Sequence, residues 1–190
     1  DIDDGTIIPT YEWSIGTAVL GTGSSYAVTA SSSNVGDSIT CTATAADSDG
    51  ESTTSLATVI VENTAPVVRN VGITSSGGYY NDQVFTCSST VSDPDESVTA
   101  TYAWSSGSVP LGSGSTMDIA TTAILPGDSI TCTASVNDSN GGSDSDTASV
   151  TIINRAPSTP TVIISPAVPV EAVDDLVCSA SGSTDSDGET

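Results

Sequence analysis

The sequence contains no histidine and no lysine, and its only basic residues are Arg69 and Arg155. Against these two positive charges stand 24 acidic residues, which give a net charge of −22. Nucleic acids and anionic membrane surfaces bind basic patches, so this charge excludes both as partners. The missing side chains also remove most general-base and Schiff-base chemistry. We therefore predict that the chain is not an enzyme.

Long apolar runs are also absent. The longest, such as Ala57–Val61, have the length of a strand and fall well short of the roughly 18 residues of a membrane span. No helical periodicity of useful length is present. Apolar residues instead alternate with serine and threonine, which is the pattern of half-buried strands. The sequence therefore predicts an all-β protein without a membrane span.

A repeat with a period of 91 residues organises the chain. Landmarks that coincide under this shift include a Tyr-x-Trp motif, a Gly-Asp-Ser-Ile-Thr-Cys motif and an Asn-x-Ala-Pro segment. These pairs are Tyr11–Trp13 with Tyr102–Trp104, Gly36–Cys41 with Gly127–Cys132, and Asn63–Pro66 with Asn154–Pro157. The period has the length of a domain.

The Asn-x-Ala-Pro segments predict the domain boundaries, because proline interrupts a strand ladder and favours an extended linker. We expect a partial domain at 1–63 with strands C to G, a complete domain at 64–154, and a partial domain at 155–190 with strands A and B. In the complete domain, period-2 patterning predicts six strands, with a further strand C′ uncertain. These are Val67–Ile73 (A), Val84–Val91 (B), Ala100–Trp104 (C), Met117–Ile119 (E), Ser129–Val136 (F) and Thr147–Ile152 (G).

The four cysteines are spaced too evenly for spacing to choose their pairing. The order Cys87, Trp104, Cys132 on predicted strands B, C and F is the immunoglobulin arrangement, in which a B–F disulfide packs against a strand-C tryptophan. We therefore predict a Cys87–Cys132 disulfide, with Trp104 and its counterpart Trp13 in the core. Cys41 and Cys178 would find partners in flanking units or neighbouring subunits. Free buried thiols remain an alternative, whereas zinc requires closer clusters. Oxidised cysteines indicate an extracellular or cell-surface location.

Several motifs resemble the immunoglobulin-like or PKD-like repeats of very large bacterial surface proteins. They are the Tyr-x-Trp, Gly-Asp-Ser-Ile-Thr-Cys and Asn-x-Ala-Pro motifs, with Asp174–Ala180 and Thr184–Thr190. The resemblance covers nearly the whole chain and implies a stalk, a filament or an adhesin. Two departures stand out. Trp104 is followed by Ser-Ser-Gly and not by the PKD sequence Asp-Phe-Gly-Asp-Gly, and Ile130 replaces the tyrosine of the immunoglobulin tyrosine corner.

Acidic clusters recur after strands B and F, where immunoglobulin topology brings the loops to one pole, beside the linker. Several oxygen ligands at a joint between domains suit Ca²⁺, which takes six to eight of them. The linker also resembles, over a few residues, the calcium-binding linker of cadherins. Solvated turns are the competing interpretation. The candidate ligands are Glu62 and Asn63 in the linker, Asp93, Asp95, Asp138 and Asn140 in the complete domain, and Asp3, Asp4, Asp47, Asp49, Asp185 and Asp187 in the partial ones.

The sequence thus favours a structural role in an extracellular fibre or stalk, with copies of the same chain or further repeats as partners. The alternative is an adhesin or carbohydrate-binding module acting through its loops. Tyr79 and Tyr80, which the next repeat lacks, are the one hint of it. A further hypothesis concerns assembly: strands A and B of one copy would complete the partial sandwich of the next, with Cys178 bridging to Cys41. Otherwise residues 1–190 are a cut from a longer chain that supplies the partners itself.

Overall fold

A computed structural model describes residues 5–188. Within this range the chain forms thirteen β-strands and one short 3₁₀ helix, in agreement with the all-β prediction. The chain divides into two compact units. One contains the described residues up to Arg69 together with Thr90–Ala100 and Ser135–Ser145, and the other contains Asn70–Ser89, Thr101–Ala134 and the residues from Asp146 onwards.

The N-terminal sheet has four strands in the order β2-β1-β3-β4. Their bounds are β1 Thr10–Ile15, β2 Ala18–Thr22, β3 Ser38–Ala46 and β4 Ser52–Ile60. All neighbouring strands in this sheet run antiparallel. On one face the register aligns Trp13 with Cys41 and Cys41 with Ala57. Trp13 and Cys41 are only half-buried, and β4 is exposed along its whole length.

The central part of the chain contributes two sheets, a three-stranded one of order β5-β6-β9 and a four-stranded one of order β11-β10-β7-β8. This is the strand order of an immunoglobulin-type sandwich. The strands are β5 Val67–Ser75, β6 Val84–Ser92, β7 Thr101–Ser106, β8 Val109–Ser113, β9 Thr116–Asp118, β10 Ser129–Asn137 and β11 Ser143–Thr151.

The core of this sandwich is built around the disulfide. Cys87 on β6 is bonded to Cys132 on β10, which is the predicted pair. Trp104 on β7 is 1 % exposed and donates its indole N–H to the carbonyl oxygen of Gly114 at 2.8 Å. Phe85 and Ile130 complete the buried centre.

The predictions for strands E and C′ need adjustment. The alternation pattern places Ile119 in strand E, but β9 ends at Asp118 and Ile119 begins the 3₁₀ helix Ile119–Thr121. The Asp118 carboxylate caps this helix by accepting from the Ala120 N–H, and the turn buries Ile119 in the core. The uncertain strand C′ is present as β8, which pairs with β7 through a bulge after Trp104.

The C-terminal part forms a two-stranded antiparallel sheet of β12, Thr161–Ser165, and β13, Val177–Ser181. Ile164 lies opposite Cys178 in this pair. Every residue of both strands is exposed. Cys41 and Cys178 are the free cysteines among residues 5–188.

Candidate functional site

Two loops at the end of the central sandwich are shaped by aspartate side chains that bind backbone N–H groups. After β6, Asp93 Oδ1 accepts from the N–H of Asp95 at 2.7 Å. After β10, Asp138 Oδ1 accepts from the N–H of Asn140 at 2.9 Å and from that of Gly142 at 2.7 Å. Such local bonds replace the strand ladder where the chain turns. They also fix the direction in which the remaining carboxylate oxygens point.

The linker before β5 is bonded to both loops. The side-chain amide of Asn63 donates to Asp138 Oδ2 at 2.8 Å. The backbone N–H of Thr64 donates to Asp95 Oδ2 at 2.6 Å. Slightly further along, the Val68 N–H donates to Asp144 Oδ2 at 2.8 Å. Two carboxylates, those of Asp138 and Asp95, therefore hold the linker, and that of Asp144 holds the start of β5.

Three carboxylates converge beside this linker. One oxygen each from Asp93, Glu96 and Asp138 lies within 4.8 Å of the other two. Two oxygens that could bind a cation, Asn63 Oδ1 and Asp93 Oδ2, are buried and find no hydrogen-bond donor within the described residues. Buried acceptors are normally paired, so this pair of oxygens fits a positively charged ligand. The donor set is all oxygen, as Ca²⁺ requires.

Hydrogen bonds in the loop favour the ionised form of Asp138. The Asn63 side chain, with the N–H groups of Gly142 and Asn140, lowers the pKa of Asp138. Glu96 is held in place by Ser139, whose backbone N–H and hydroxyl donate to its two oxygens. A cleft of about 300 Å³ opens beside it and is lined by Asp95, Glu96 and Asn140 together with Val28–Ala30 and Ser33–Val35. The cleft therefore leaves Glu96 open to solvent cations.

The second linker makes the equivalent backbone contact. Arg155 occupies the repeat position of Thr64, and its N–H donates to Asp187 Oδ2. Here the linker residue also brings a positive charge. Its guanidinium Nε donates to Asp187 Oδ1 and its Nη1 to Asp82 Oδ2, both at 2.9 Å. The guanidinium carbon lies 4.6 Å from the centre of the Tyr80 ring, within the range of a cation–π interaction.

The contacts within this cluster shift three pKa values, each in the direction that favours the charged form of the group. The backbone N–H of Arg155, and then its side chain, lower the pKa of Asp187, which is 3 % exposed. Hydrogen bonds from Gln83 and Arg155 lower the pKa of Asp82. The pKa of Arg155 is raised by Asp187 and Asp82. The cluster is therefore fully charged near neutral pH.

The other predicted ligands do not belong to the group of three carboxylates formed by Asp93, Glu96 and Asp138. Asp47 Oδ1 accepts from the N–H groups of Asp49 and Glu51, so this loop repeats the geometry around Asp138. Asp185 accepts from the Asp187 N–H. Glu62 in the first linker is exposed. Asp3 and Asp4 lie outside the described residues.

Two residues of these clusters, Glu96 and Arg155, are not among the site residues predicted from the sequence. Glu96 belongs to the acidic run after strand B but is not among the predicted ligands, although Asp-x-Asp-Glu offers three carboxylates in one turn. Arg155 drew notice only as one of two basic residues. Its substitution for Thr64 within an otherwise matching linker was the available signal, since a lone cation among acidic loops tends to find a carboxylate.

Comparison of the chain with protein-family models, curated proteins and solved structures found no match. Among residues 5–188 no helix has the length and apolar character needed to cross a bilayer.

Proposed function

We propose that the chain is a load-bearing segment of an extracellular fibre or stalk built from immunoglobulin-like domains, and that it has no catalytic role. One observation supports the proposal most directly. In both linkers the residue at the same repeat position donates its backbone N–H to an aspartate. That aspartate lies in the loop after the second strand that follows the linker. Thr64 binds Asp95, and Arg155 binds Asp187. A fibre needs such fixed joints, because free linkers would let its domains tumble.

The strand positions support the same proposal. The bounds of β1, β2, β3 and β4 are those of β7, β8, β10 and β11 displaced by 91 residues. Both sheets also carry a tryptophan whose indole N–H donates to a glycine carbonyl, Trp13 to Gly23 and Trp104 to Gly114. Repeated units with the same strand layout suit a scaffold.

We further propose that Ca²⁺ binds at the first linker, with Asp93, Glu96, Asp138 and Asn63 as ligands. The buried, unpartnered oxygens of Asn63 and Asp93 support this assignment. A cation there would neutralise part of the acidic cluster and join the linker to two loops at once. The expected affinity is that of extracellular modules, on the order of 10⁻⁴–10⁻³ M.

An extracellular location follows from the same proposal. The Cys87–Cys132 bridge fits an oxidising compartment. Ca²⁺ at millimolar concentration is also available outside the cell, where weak sites of this kind would be occupied.

A loop-based adhesin is the second candidate, and the tyrosines that would favour it are engaged elsewhere. The Tyr79 hydroxyl donates to the Ile73 carbonyl at 3.0 Å, and its ring packs edge-on against Phe85. The Tyr80 ring lies under the Arg155 guanidinium. The Tyr79 ring and one face of the Tyr80 ring are thus occupied within the chain, so we favour the structural role.

Electron microscopy of the native assembly tests the fibre proposal. We expect extended, beaded particles whose beads have the size of one immunoglobulin-like domain. Compact, isolated particles would contradict it. A glycan array probed with the 190-residue chain tests the adhesin, for which we expect no binding.

A further inference from the structure

Asn140 is followed by Gly141, and this is the only Asn-Gly pair among the seven asparagines of the sequence. The other six precede valine, threonine, aspartate or arginine. An asparagine side chain deamidates when the backbone nitrogen of the next residue reaches its amide carbon. A Cβ on that next residue hinders the approach, and glycine has none. The sequence therefore places the position most open to this reaction in the loop after β10.

The folded loop leaves the pair accessible. Asn140 and Gly141 are both exposed. The side-chain amide of Asn140 donates to the Ser139 hydroxyl at 3.4 Å, which is longer than an ordinary hydrogen bond from nitrogen to oxygen. The amide of Asn63, by contrast, donates to Asp138 at 2.8 Å. The reacting amide of Asn140 is thus exposed and weakly held.

The preceding repeat shows that an aspartate fits at this position. Asp49 occupies the repeat position of Asn140. Its N–H donates to Asp47 Oδ1 at 3.0 Å, as the Asn140 N–H donates to Asp138 Oδ1 at 2.9 Å. The glycine that follows has a φ of 98° in one loop and 96° in the other. The two loops share one backbone geometry, so an aspartate in place of Asn140 requires no rearrangement.

We propose that Asn140 is a site of spontaneous deamidation, whose aspartate product adds a carboxylate beside the three converging carboxylates at the first linker. The Gly141 nitrogen attacks Asn140 Cγ, the Cγ–Nδ2 bond breaks, and ammonia leaves with the proton of the Gly141 N–H. Water then opens the resulting succinimide ring. Opening at Cγ gives aspartate, and opening at the backbone carbonyl carbon gives isoaspartate. The net reaction consumes a water molecule and releases ammonia, without an oxidant or a reductant.

The two products have opposite consequences for the first linker. Asn140 lines the same cleft as Asp95 and Glu96, so a negative charge there strengthens the attraction for a cation. Isoaspartate instead lengthens the backbone by a methylene group, immediately before the Gly142 N–H that binds Asp138. Because Asp138 also holds the linker, that product should loosen both. The effect on cations rests on the calcium site proposed above, whereas the deamidation itself does not.

Mass spectrometry tests the modification directly. The 190-residue chain is incubated in neutral buffer with EDTA at physiological temperature, and its peptides are followed over time. Isoaspartate is counted with an isoaspartyl methyltransferase. We expect Asn140 to convert progressively while Asn34 stays intact. Asn34 is also exposed but precedes Val35, whose branched side chain hinders ring closure.

Three outcomes of this incubation would overturn the proposal. They are an Asn140 that stays intact, equal rates at Asn140 and Asn34, and conversion that appears only when the chain is unfolded in urea. The last result would show that the folded loop protects its amide. Conversion of the folded chain at Asn140 alone supports the proposal.

Calorimetric titration with Ca²⁺ tests the effect of the added charge. Asn140→Asp reproduces the aspartate product, and Asn140→Gln keeps a neutral amide that closes such a ring far less readily. Thr151→Asp adds the same charge at the end of β11 remote from the loop. We expect Asn140→Asp to bind Ca²⁺ about three- to tenfold more tightly than Asn140→Gln, and Thr151→Asp to bind like freshly prepared wild type.

The outcomes separate this inference from the calcium site. Equal affinities of Asn140→Asp and Asn140→Gln would overturn the link between deamidation and cation binding. If none of the variants binds Ca²⁺ while Asn140 still converts in EDTA, the calcium site fails and the deamidation stands.

Discussion

Asn63 donates its side-chain amide to Asp138 Oδ2 at 2.8 Å, a contact between residues 75 positions apart in the chain. The other oxygen of the same aspartate, Oδ1, binds the N–H groups of Asn140 and Gly142. A single carboxylate therefore both shapes the loop after β10 and holds the linker that precedes β5. Changes at Asp138 or beside it should disturb the loop and the linker together.

Gly142 is the first position to change. A Cβ at this residue would collide with the Asp138 carboxylate and lie 3.0 Å from the Ala65 Cα. The Ala65 atom belongs to the backbone and cannot move away cheaply, so we expect Gly142→Ala to destabilise the chain by about 1–3 kcal/mol. Urea unfolding measures the loss. Gly72→Ala is the control, because a Cβ there meets nothing within 4 Å. Equal stability of the two variants would refute the tight contact.

Acid should weaken the central sandwich through Asp138. Its pKa is lowered in the folded chain, so the folded state binds fewer protons at this group than the unfolded state. The stabilisation is complete above the unfolded value, near pH 4, and is lost as the pH falls through the lower folded value. In EDTA we expect Asp138→Asn to be less stable than wild type at pH 7 and the difference to shrink below about pH 4. Asp175→Asn, on the exposed segment before β13, is the control. A constant difference across this range would contradict the assignment.

The Arg155 cluster predicts a partial pKa change at Asp187. In the Arg155→Thr variant the guanidinium is lost but the backbone N–H still donates to Asp187 Oδ2. Because the backbone contact is the larger cause, we expect the Asp187 pKa to rise while remaining below the usual carboxyl value. Carboxyl-carbon NMR titration measures it. Arg69→Thr removes the same charge elsewhere and should leave Asp187 unchanged. A full return to the ordinary value would show that the backbone bond contributes nothing.

Calcium should stabilise the chain through the carboxylates at the first linker. Ca²⁺ at about 100 times its Kd would raise the free energy of unfolding by about 2.7 kcal/mol. Thermal unfolding and titration calorimetry up to about 10 mM Ca²⁺ cover the expected affinity range. Asp93→Asn should abolish the effect, whereas Asp146→Asn, on the outer strand β11, should retain it. Stabilisation that survives in Asp93→Asn would assign the ion to another place.

The disulfide should account for much of the stability of the central sandwich. It joins residues 45 positions apart. Closing a loop of this length is worth about 4 kcal/mol through the unfolded chain, a large part of the roughly 5–15 kcal/mol typical of a domain. We expect the Cys87→Ser/Cys132→Ser variant to unfold at much lower urea concentration than wild type. Reductant should shift wild type toward the variant and leave the variant unchanged. No shift on reduction would contradict a stabilising bridge.

The sequence was most informative where alternation decides burial. On strand F, now β10, the alternation of apolar and polar residues predicts that Ile130, Cys132, Ala134 and Val136 face inward, and all four are buried. The tryptophan between two cysteines indicated the disulfide. These features follow from local periodicity and from one rule of the immunoglobulin arrangement, and neither needs knowledge of how distant loops meet.

The remaining features depend on contacts between distant segments. β8 lies in a Gly- and Ser-rich stretch, and its position is set by pairing of Gly112 with Trp104. Alternation predicts that strand G begins at Thr147, but β11 starts at Ser143 because the bond between the Asp138 N–H and the Gly142 carbonyl carries the pairing up to the turn. The partners of Glu96 and Arg155 are 43 and 32 residues away. No periodic pattern predicts such pairs.

The contacts of the Arg155 side chain also affect where proteases can cleave the chain. Trypsin cleaves after lysine or arginine, and this chain offers it only Arg69 and Arg155. Arg69 lies within β5, where the backbone is in a sheet, and the Arg155 side chain is held by Asp187, Asp82 and Tyr80. Proteases of this specificity need an extended, accessible segment with a free basic side chain to bind. Arg155 offers no free side chain in the folded chain, whereas Arg69 is exposed on the edge strand β5, so trypsin should cut the folded chain at Arg69 in preference to Arg155.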